Sequence, residues 1–467
     1  MLSFEEFKKD FYQKFPDARF FDCGEFNLIK VVLEGLKVNY AARGNTGHSW
    51  VKDNATYERG LFFRRWKARL NGKFRSHDFK GWNFFSNRKW LFVDHYDNRS
   101  VYVKRVAVSF YFHRLATQIG REQVVLLHEQ SPPPENEFDI VVGDILRAAR
   151  SMKLNDEERS LREALRVFFN RIRTSFSKPE QLSIGMALEK FFNDYRAWRC
   201  ILKRLPQKNI VLLCHYHHEG AIHAMRTLGR KVIELQHGLI ATQDVFYCMP
   251  EEVKTVRAKA LFPDHILVFG DHWKNQLMKG SEFLPEQIDV IGYFPFEQKS
   301  SLDESMELRE WIGKRKVILV TTQTFMHELF CDYVAFISND IAKRGSEQVL
   351  LVKIHPSEKR ELYAPIVSLP GVKLVNEPLT VLFPLATWHV SVYSTTLYDG
   401  LRFSVTGYAL DILPEFSSYV RYITEQGIAV RLTAFSNPAD IDAKSTVPPV
   451  DIYYAALNVK ALTDLSE

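Results

Sequence analysis

From Ile210 onward the chain alternates short apolar runs with helical ones, and that regularity leaves few folds open to it. The strand-like runs are Ile210–Cys214, Lys231–Leu235, His265–Phe269, Ile288–Ile291, Lys316–Thr321, Gln348–Ile354 and Trp388–Val392. The helices between them are Glu219–Leu228, Asp271–Lys279, Phe325–Lys343, Leu379–Leu385 and Thr395–Phe403. Short apolar strands alternating with helices build parallel sheets from βαβ units. Earlier in the chain, Trp90–Asp94 and Gln123–His128 also read as strands, and a charged stretch over about Asp144–Lys203 reads as helix. The alternation lapses over Gly292–Lys314, a polar stretch that marks a junction between two such sheets. A chain of 467 residues is too long for one ordinary core. The expected class is therefore α/β, with two Rossmann-like domains facing across a cleft that holds the ligand. Residues 1–290 form the first domain, with an insertion at 61–90, and residues 291–410 form the second. Residues 411–467 follow as a last segment.

Composition narrows the function classes. No apolar run approaches a membrane span, and Met1–Asp10 is charged rather than signal-like. Cys23, Cys200, Cys214, Cys248 and Cys331 are scattered and lack CxxC spacing, which points to reduced thiols in a cytoplasmic protein. The formal net charge is +6, yet Leu61–Trp90 alone holds nine Lys/Arg against one Asp, together with nine aromatics. Such a run, with Arg64, Arg65, Trp66 and Lys67 at its centre, suits an acidic acceptor or anionic lipid headgroups. It reads equally as core aromatics under a solvated basic face. No nucleic-acid module accompanies it.

Two motifs carry the chemistry. Val352-Lys353-Ile354-His355-Pro356 and Ser391–Leu401 each sit where a strand gives way to a helix, at the carboxyl edge where open α/β sheets bind ligands. His355 and Lys353 supply positive donors, while Ser394, Thr395 and Thr396 combine hydroxyls with the N–H groups of a starting helix. Gln323, just past the strand Lys316–Thr321, belongs with this phosphate-binding set. The same residues also fit a strand end at Pro356 and an ordinary helix cap at Ser394. Gln236-His237-Gly238 ends another buried strand, so His237 either reaches the ligand or braces the cleft. Asp94 and His95 end the strand Trp90–Asp94 and are one source of a catalytic base. His215, His217 and His218 lack a carboxylate or Cys at metal-site spacing, and Asp440-Ile441-Asp442 lies in a Pro-rich tail, so no metal site is expected.

The ordered set Val232–Gly238, Leu267–Gly270, Lys353–Pro356 and Val392–Leu401 resembles bacterial GT-B glycosyltransferases of surface polysaccharide assembly. The His-Pro and Ser/Thr motifs are similar to those of bacterial sialyltransferases and, more loosely, of teichoic-acid polyol-phosphate transferases. The resemblance covers about Ile210–Leu410 and implies that the segment beyond it, 411–467, crosses back to the first domain. In the sialyltransferases two acidic residues followed by Gly supply the general base. Here His218-Glu219-Gly220 stands at that motif, with His at the first position, and Glu219 matches the second acid. Its other reading is a first-turn Glu that stabilises its own helix. The resemblance implies a metal-independent, inverting transferase without a cofactor, whose substrate is a nucleotide-sugar, with a CMP-linked acidic sugar favoured. The acceptor would be a growing glycan such as lipopolysaccharide O-antigen or capsule, reached from the inner face of the membrane. A CDP-polyol transferase, a GT-B sugar-nucleotide epimerase and a non-catalytic glycan-assembly protein remain the alternatives.

Overall fold

Thirteen strands in two all-parallel sheets organise the computed structural model, which describes residues 4–44, 87–94, 101–103, 106–109, 111–128, 139–293, 302–324, 326–356, 358–441 and 449–466. His95 and the run around Arg64, Arg65, Trp66 and Lys67 lie outside the described residues. The chain divides into two compact units. The first comprises Lys8–Asp97, Tyr111–Phe294 and Ala456–Glu467, and the second comprises Met1–Phe7, Asn98–Phe110 and Pro295–Ala455.

In the first unit seven strands lie in the order Ile288–Val290, His265–Val268, Lys231–Leu235, Asn209–Leu212, Trp90–Asp94, Val124–His128, Asp139–Val141. In the second, six lie in the order Val372–Val375, Gln348–Lys353, Lys316–Thr321, Trp388–Ser391, Thr406–Leu410, Val430–Leu432. Every neighbouring pair in either sheet is parallel. Numbered within each unit, the second sheet reads 3-2-1-4-5-6 and the first repeats that order with a seventh strand. This is the Rossmann order, and it reverses between strands one and four, where a crevice opens at the carboxyl edge. In the first sheet that point lies between Trp90–Asp94 and Asn209–Leu212, and in the second between Lys316–Thr321 and Trp388–Ser391.

The strands are apolar almost throughout because helices cover both faces, which removes the alternation of a half-wet sheet. Val317, Leu319, Val349 and Leu351 share one face of the second sheet, packed under Leu308, Ile312, Leu382 and Phe383. Local chemistry sets the helix ends. The stretch expected as one helix over Asp144–Lys203 is three, Gly143–Ser151, Asp156–Ile172 and Lys178–Leu202. Asn155 and Glu158 form a reciprocal capping box (2.9 and 3.1 Å), and Glu180 caps Ser177 (2.8 Å), so the backbone is restarted twice.

Several boundaries differ from the sequence reading. Strands Asp139–Val141, Val372–Val375, Thr406–Leu410 and Val430–Leu432 were not expected. The central strand of the first sheet stops at Leu212, so His215 and His217 do not share a strand face. The second sheet continues past Leu410, and its unit runs to Ala455, while Ala456–Glu467 packs with the first unit. There Lys231 Nζ donates to the Leu465 carbonyl (2.6 Å) and the Asn458 N–H to the Ile291 carbonyl (2.7 Å).

Candidate functional site

At the crossover of the second sheet, a chain of neutral hydrogen bonds ties the two central strands together. His389, fully buried within Trp388–Ser391, places Nε2 2.9 Å from Thr321 Oγ1, which lies 2.9 Å from Thr396 Oγ1. Burial holds the His389 imidazole neutral, with its pKa brought down to about 3. Ser391 Oγ donates to the Thr321 carbonyl (2.9 Å). Above this layer Gln323 Oε1 accepts from the Tyr393 N–H (2.8 Å), which leaves the amide nitrogen, a pair of donors, unused among the described residues. Ser394 Oγ accepts from the Thr396 N–H (3.2 Å), so the hydroxyl caps the turn and keeps its own proton to donate.

The predicted phosphate residues therefore separate into groups. Gln323, Ser394 and Thr395 stand together at the crossover, half-buried. Thr396 belongs to the same loop, but its hydroxyl is spent on Thr321. His355 and Pro356 follow the adjacent strand, and the His355 N–H donates to Thr322 Oγ1 (2.8 Å). Thr322 in turn donates to Glu358 Oε2 (2.6 Å), as does the Tyr363 hydroxyl (2.8 Å). This three-residue brace fixes the His-Pro turn. Lys353 goes elsewhere than expected. Its ammonium reaches the carbonyl of Asn376 (2.6 Å), beyond the outer strand Val372–Val375, because the strand end offers that carbonyl within the reach of its stem. Burial lowers its pKa.

The carboxyl edge of the first sheet is built from charge. Helix Ile29–Gly44 and helix Glu219–Thr227 both press on helix Lys178–Leu202. A Cβ on Gly35 would stand 2.9 Å from Ile184 Cα, and one on Gly220 2.2 Å from the Phe191 carbonyl oxygen. The glycine of His218-Glu219-Gly220 thus serves helix packing. Glu219 is only 2% exposed, and Lys30, fully buried, lies 3.5 Å from its Oε1. Lys30 also donates to the Leu261 carbonyl (2.7 Å) and sits 4.9 Å over the Phe262 ring. Burial pushes Glu219 up to about 7 against the pull of Lys30, and the Glu34 carboxylate pushes the same way. Burial lowers the Lys30 pKa in turn, so the side chain expected as a base is enclosed instead with a buried lysine.

Beside it, His217 holds φ +68°. A bulky residue in that left-handed region costs on the order of 1 kcal/mol, which the surroundings must offset. Its Nδ1 lies 2.9 Å from Glu34 Oε1, and Lys190 Nζ hydrogen-bonds its carbonyl. Burial raises the Glu34 carboxyl, but the hydrogen bond and charge of His217, with the Lys190 charge, outweigh that and hold it below the usual range. His215 is buried between Glu234 (Nδ1 to Oε2, 2.5 Å) and the Phe246 carbonyl (3.0 Å), with the Tyr247 hydroxyl on the other Glu234 oxygen. His237 is half-buried, with Nε2 3.2 Å from the Tyr216 hydroxyl and its carbonyl accepting from Tyr111 (2.8 Å). Asp94 ends its strand buried, in register with His128. Glu34 and His389 were missed by the sequence reading, which weighed His217 only as a metal ligand. The only signals for them were a polar residue inside an apolar run, for His389, and a His-rich turn, for His217.

Among the described residues no three His, Cys, Asp or Glu side chains group as metal ligands. Asp440 pairs with Arg344 (2.6 Å), and Asp442 lies outside the described residues. The five cysteines form no disulfide. Among the described residues no helix is long and apolar enough to cross a membrane.

Compared by sequence, the chain matches no protein-family model and no curated protein. Compared by structure, it is similar to a candidate UDP-N-acetylglucosamine 2-epimerase from Listeria monocytogenes, with TM-score 0.50 and 11% identity, over 81% of this chain and 95% of that one. UDP-GlcNAc 2-epimerase from Neisseria meningitidis, bound to UDP-GlcNAc, gives TM-score 0.46 and 12% identity over 80% and 98%. A glycosyltransferase from Rickettsia africae gives 0.38 and 9% over 70% and 80%. Of these, the Listeria likeness carries weight, and at that identity it speaks for the fold. The chain has two Rossmann-like parallel-sheet units of GT-B type.

Proposed function

We propose that the protein is a glycosyltransferase that moves a sugar from a nucleotide-activated donor to a growing surface glycan. The observation that carries this reading is the crossover of the second sheet, where Gln323, Ser394 and Thr395 gather proton donors beside the braced His355 turn. A departing nucleotide phosphate gains negative charge as the glycosidic bond breaks. Donors already held in place for that charge lower the barrier without reorganising. The chemistry needs no metal, because His355, Ser394 and Gln323 supply the neutralising contacts. Lys353 contributes its field from the strand end, where it stays on the Asn376 carbonyl. A CMP-linked acidic sugar is the favoured donor, since the His-Pro and Ser/Thr pair most resembles that of sialyltransferases. The run with Arg64, Arg65, Trp66 and Lys67 would hold a lipid-linked or acidic acceptor at an anionic membrane face.

Thermal unfolding of the full chain with CMP, CDP and UDP, each with and without EDTA, tests the donor half. A ligand that binds only the native state raises Tm in proportion to its affinity. CMP should raise Tm most, EDTA should change nothing, and His355→Ala should reduce the shift. A shift that requires Mg²⁺, or one that His355→Ala leaves intact, contradicts the mechanism. Conversion of UDP-GlcNAc to its 2-epimer without acceptor would make the protein an epimerase.

A further inference from the structure

A hydroxyl has one proton, so the bond between Thr321 Oγ1 and Thr396 Oγ1 (2.9 Å) consumes the proton of one or the other. Both hydroxyls are engaged, but only one of them is the donor, and that decides whether Thr396 keeps a proton for a ligand. The answer lies one bond deeper, at His389. Its Nε2 is 2.9 Å from Thr321 Oγ1, and its Nδ1 is buried with no hydrogen-bond partner. The Phe383 ring meets the imidazole edge-on at 5.2 Å, and a Cβ on Gly400 would lie 3.7 Å from Nδ1, so that nitrogen faces packed chain. A buried N–H without a partner is rarer than an idle lone pair. Burial keeps the imidazole neutral, and its single ring proton therefore belongs on Nε2. From there the direction is fixed. His389 Nε2–H donates to Thr321 Oγ1, Thr321 donates to Thr396 Oγ1, and Thr396 receives a bond without using its own proton. The half-buried Thr396 side chain makes no other hydrogen bond among the described residues.

We propose that His389 is a positioning residue for the phosphate seat: acting through Thr321, it aims the Thr396 hydroxyl proton outward, so that Thr396 donates to the phosphate of the nucleotide-linked substrate. This rests on the transferase reading above and lies wholly within the second unit. No proton moves along the chain, because the three groups keep their protons and hold one orientation. A hydroxyl that accepts a bond becomes a better donor, by about 10–30% per bond, so the chain strengthens the last contact as well as aiming it. The opposite tautomer would reverse both bonds and turn the Thr396 proton back onto Thr321. Leucine would fill the place of the fully buried His389 without the cost of burying two ring nitrogens. What leucine lacks is the directed N–H.

The test uses full-length protein and calorimetric titration with CMP, CDP and UDP, following whichever binds the wild type most tightly. Thr396→Val keeps the shape and the backbone N–H bonded to Ser394, and should weaken that nucleotide by about ten-fold or more. His389→Leu should weaken it by about three- to five-fold, whereas His389→Gln, whose amide can still donate to Thr321, should stay within about two-fold. If His389→Leu does not fold, Thr321→Val breaks the chain in the middle and should give the same loss. In a Thr396→Val background either change should have no further effect, since the direction is felt only through that hydroxyl. Nitrogen NMR of the imidazoles, with the His389 signals identified by their absence in His389→Gln, should place the proton on Nε2. A proton on Nδ1, additive losses in the double variants, or wild-type affinity in Thr321→Val overturns the inference and leaves the transferase reading standing. If no nucleotide binds the wild type, the phosphate seat of that reading fails and takes the inference with it.

Discussion

The two sheets wind their strands in the same order, yet their carboxyl edges are furnished in opposite ways. The first collects ionisable side chains, Lys30, Glu34, Glu219, Glu234, His215 and His217, most of them enclosed. The crossover of the second is built from hydroxyls, an amide and a neutral imidazole, His389, with Lys353 set apart on the Asn376 carbonyl. Topology therefore supplies the crevice in both units, while side-chain chemistry decides what each can handle. Neutral donors suit an anion, because they stabilise its charge without forming an ion pair that must be broken on release. Buried acids and bases whose protonation is balanced suit proton transfer.

The largest effect that could break this contrast comes from Lys30. If it is the cation that makes the first cluster tolerable, Lys30→Met should cost about 3–5 kcal/mol in urea unfolding, because buried carboxylates lose their partner. The loss should shrink as pH falls toward about 7 and level off below it, because without Lys30 the Glu219 carboxyl takes up its proton at still higher pH. A cost under about 1 kcal/mol would mean the cluster balances itself through shared protons.

Next in size are opposite pH arms, read by amide exchange in each sheet. In the second unit His389 falls from the ordinary 6.5 to about 3. Its contribution is complete above pH 6.5 and is lost as pH falls toward 3, by up to about 1.4 kcal/mol per pH unit. In the first unit burial raises Glu282 from 4.5 to about 8. Its contribution is complete below pH 4.5 and fades as pH rises through 8. His389→Gln should flatten the acid arm in strands 316–321 and 388–391, and Glu282→Gln the alkaline arm around Met249. Identical pH dependence in the two sheets would erase the distinction.

The smallest effect sharpens it. Ser394→Ala removes the cap on the Thr396 N–H and should cost about 1 kcal/mol. If Ser394 also donates to phosphate, CMP affinity measured by calorimetry should fall as well, whereas a pure cap leaves it unchanged.

The parallel sheets were legible because βαβ periodicity is local. The strand order was not, since Trp90–Asp94 joins Asn209–Leu212 across a long helical excursion. Val430–Leu432 and Asp139–Val141 are too short to show a period. Of the candidate site, Gln323 and Ser394 were grouped by the sequence reading and stand together at the crossover, whereas Lys353 was placed on the His355 face by strand period and turns to Asn376. Period gives the face on which a side chain starts and leaves open where a four-carbon stem ends. Glu34 and His217 meet only because Gly35 and Gly220 let their helices close on Lys178–Leu202. No spacing rule records a contact between such distant residues. Glu219 shows another limit, in which a residue was picked by its place in a motif while its depth was invisible.

The return of Ala456–Glu467 to the first unit has a consequence for biosynthesis. Lys231 and Ile291 emerge from the ribosome long before Leu465 and Asn458, their partners, because the whole second sheet is translated in between. At roughly 5–20 residues per second the nascent first unit waits on the order of ten to thirty seconds with that seam open. Its edge strand Ile288–Val290 stays without its closing segment for the same interval. Slow translation over Pro295–Ala455 should therefore increase capture of the nascent chain by holdase chaperones, and a stop codon just before Ala456 should make that capture permanent.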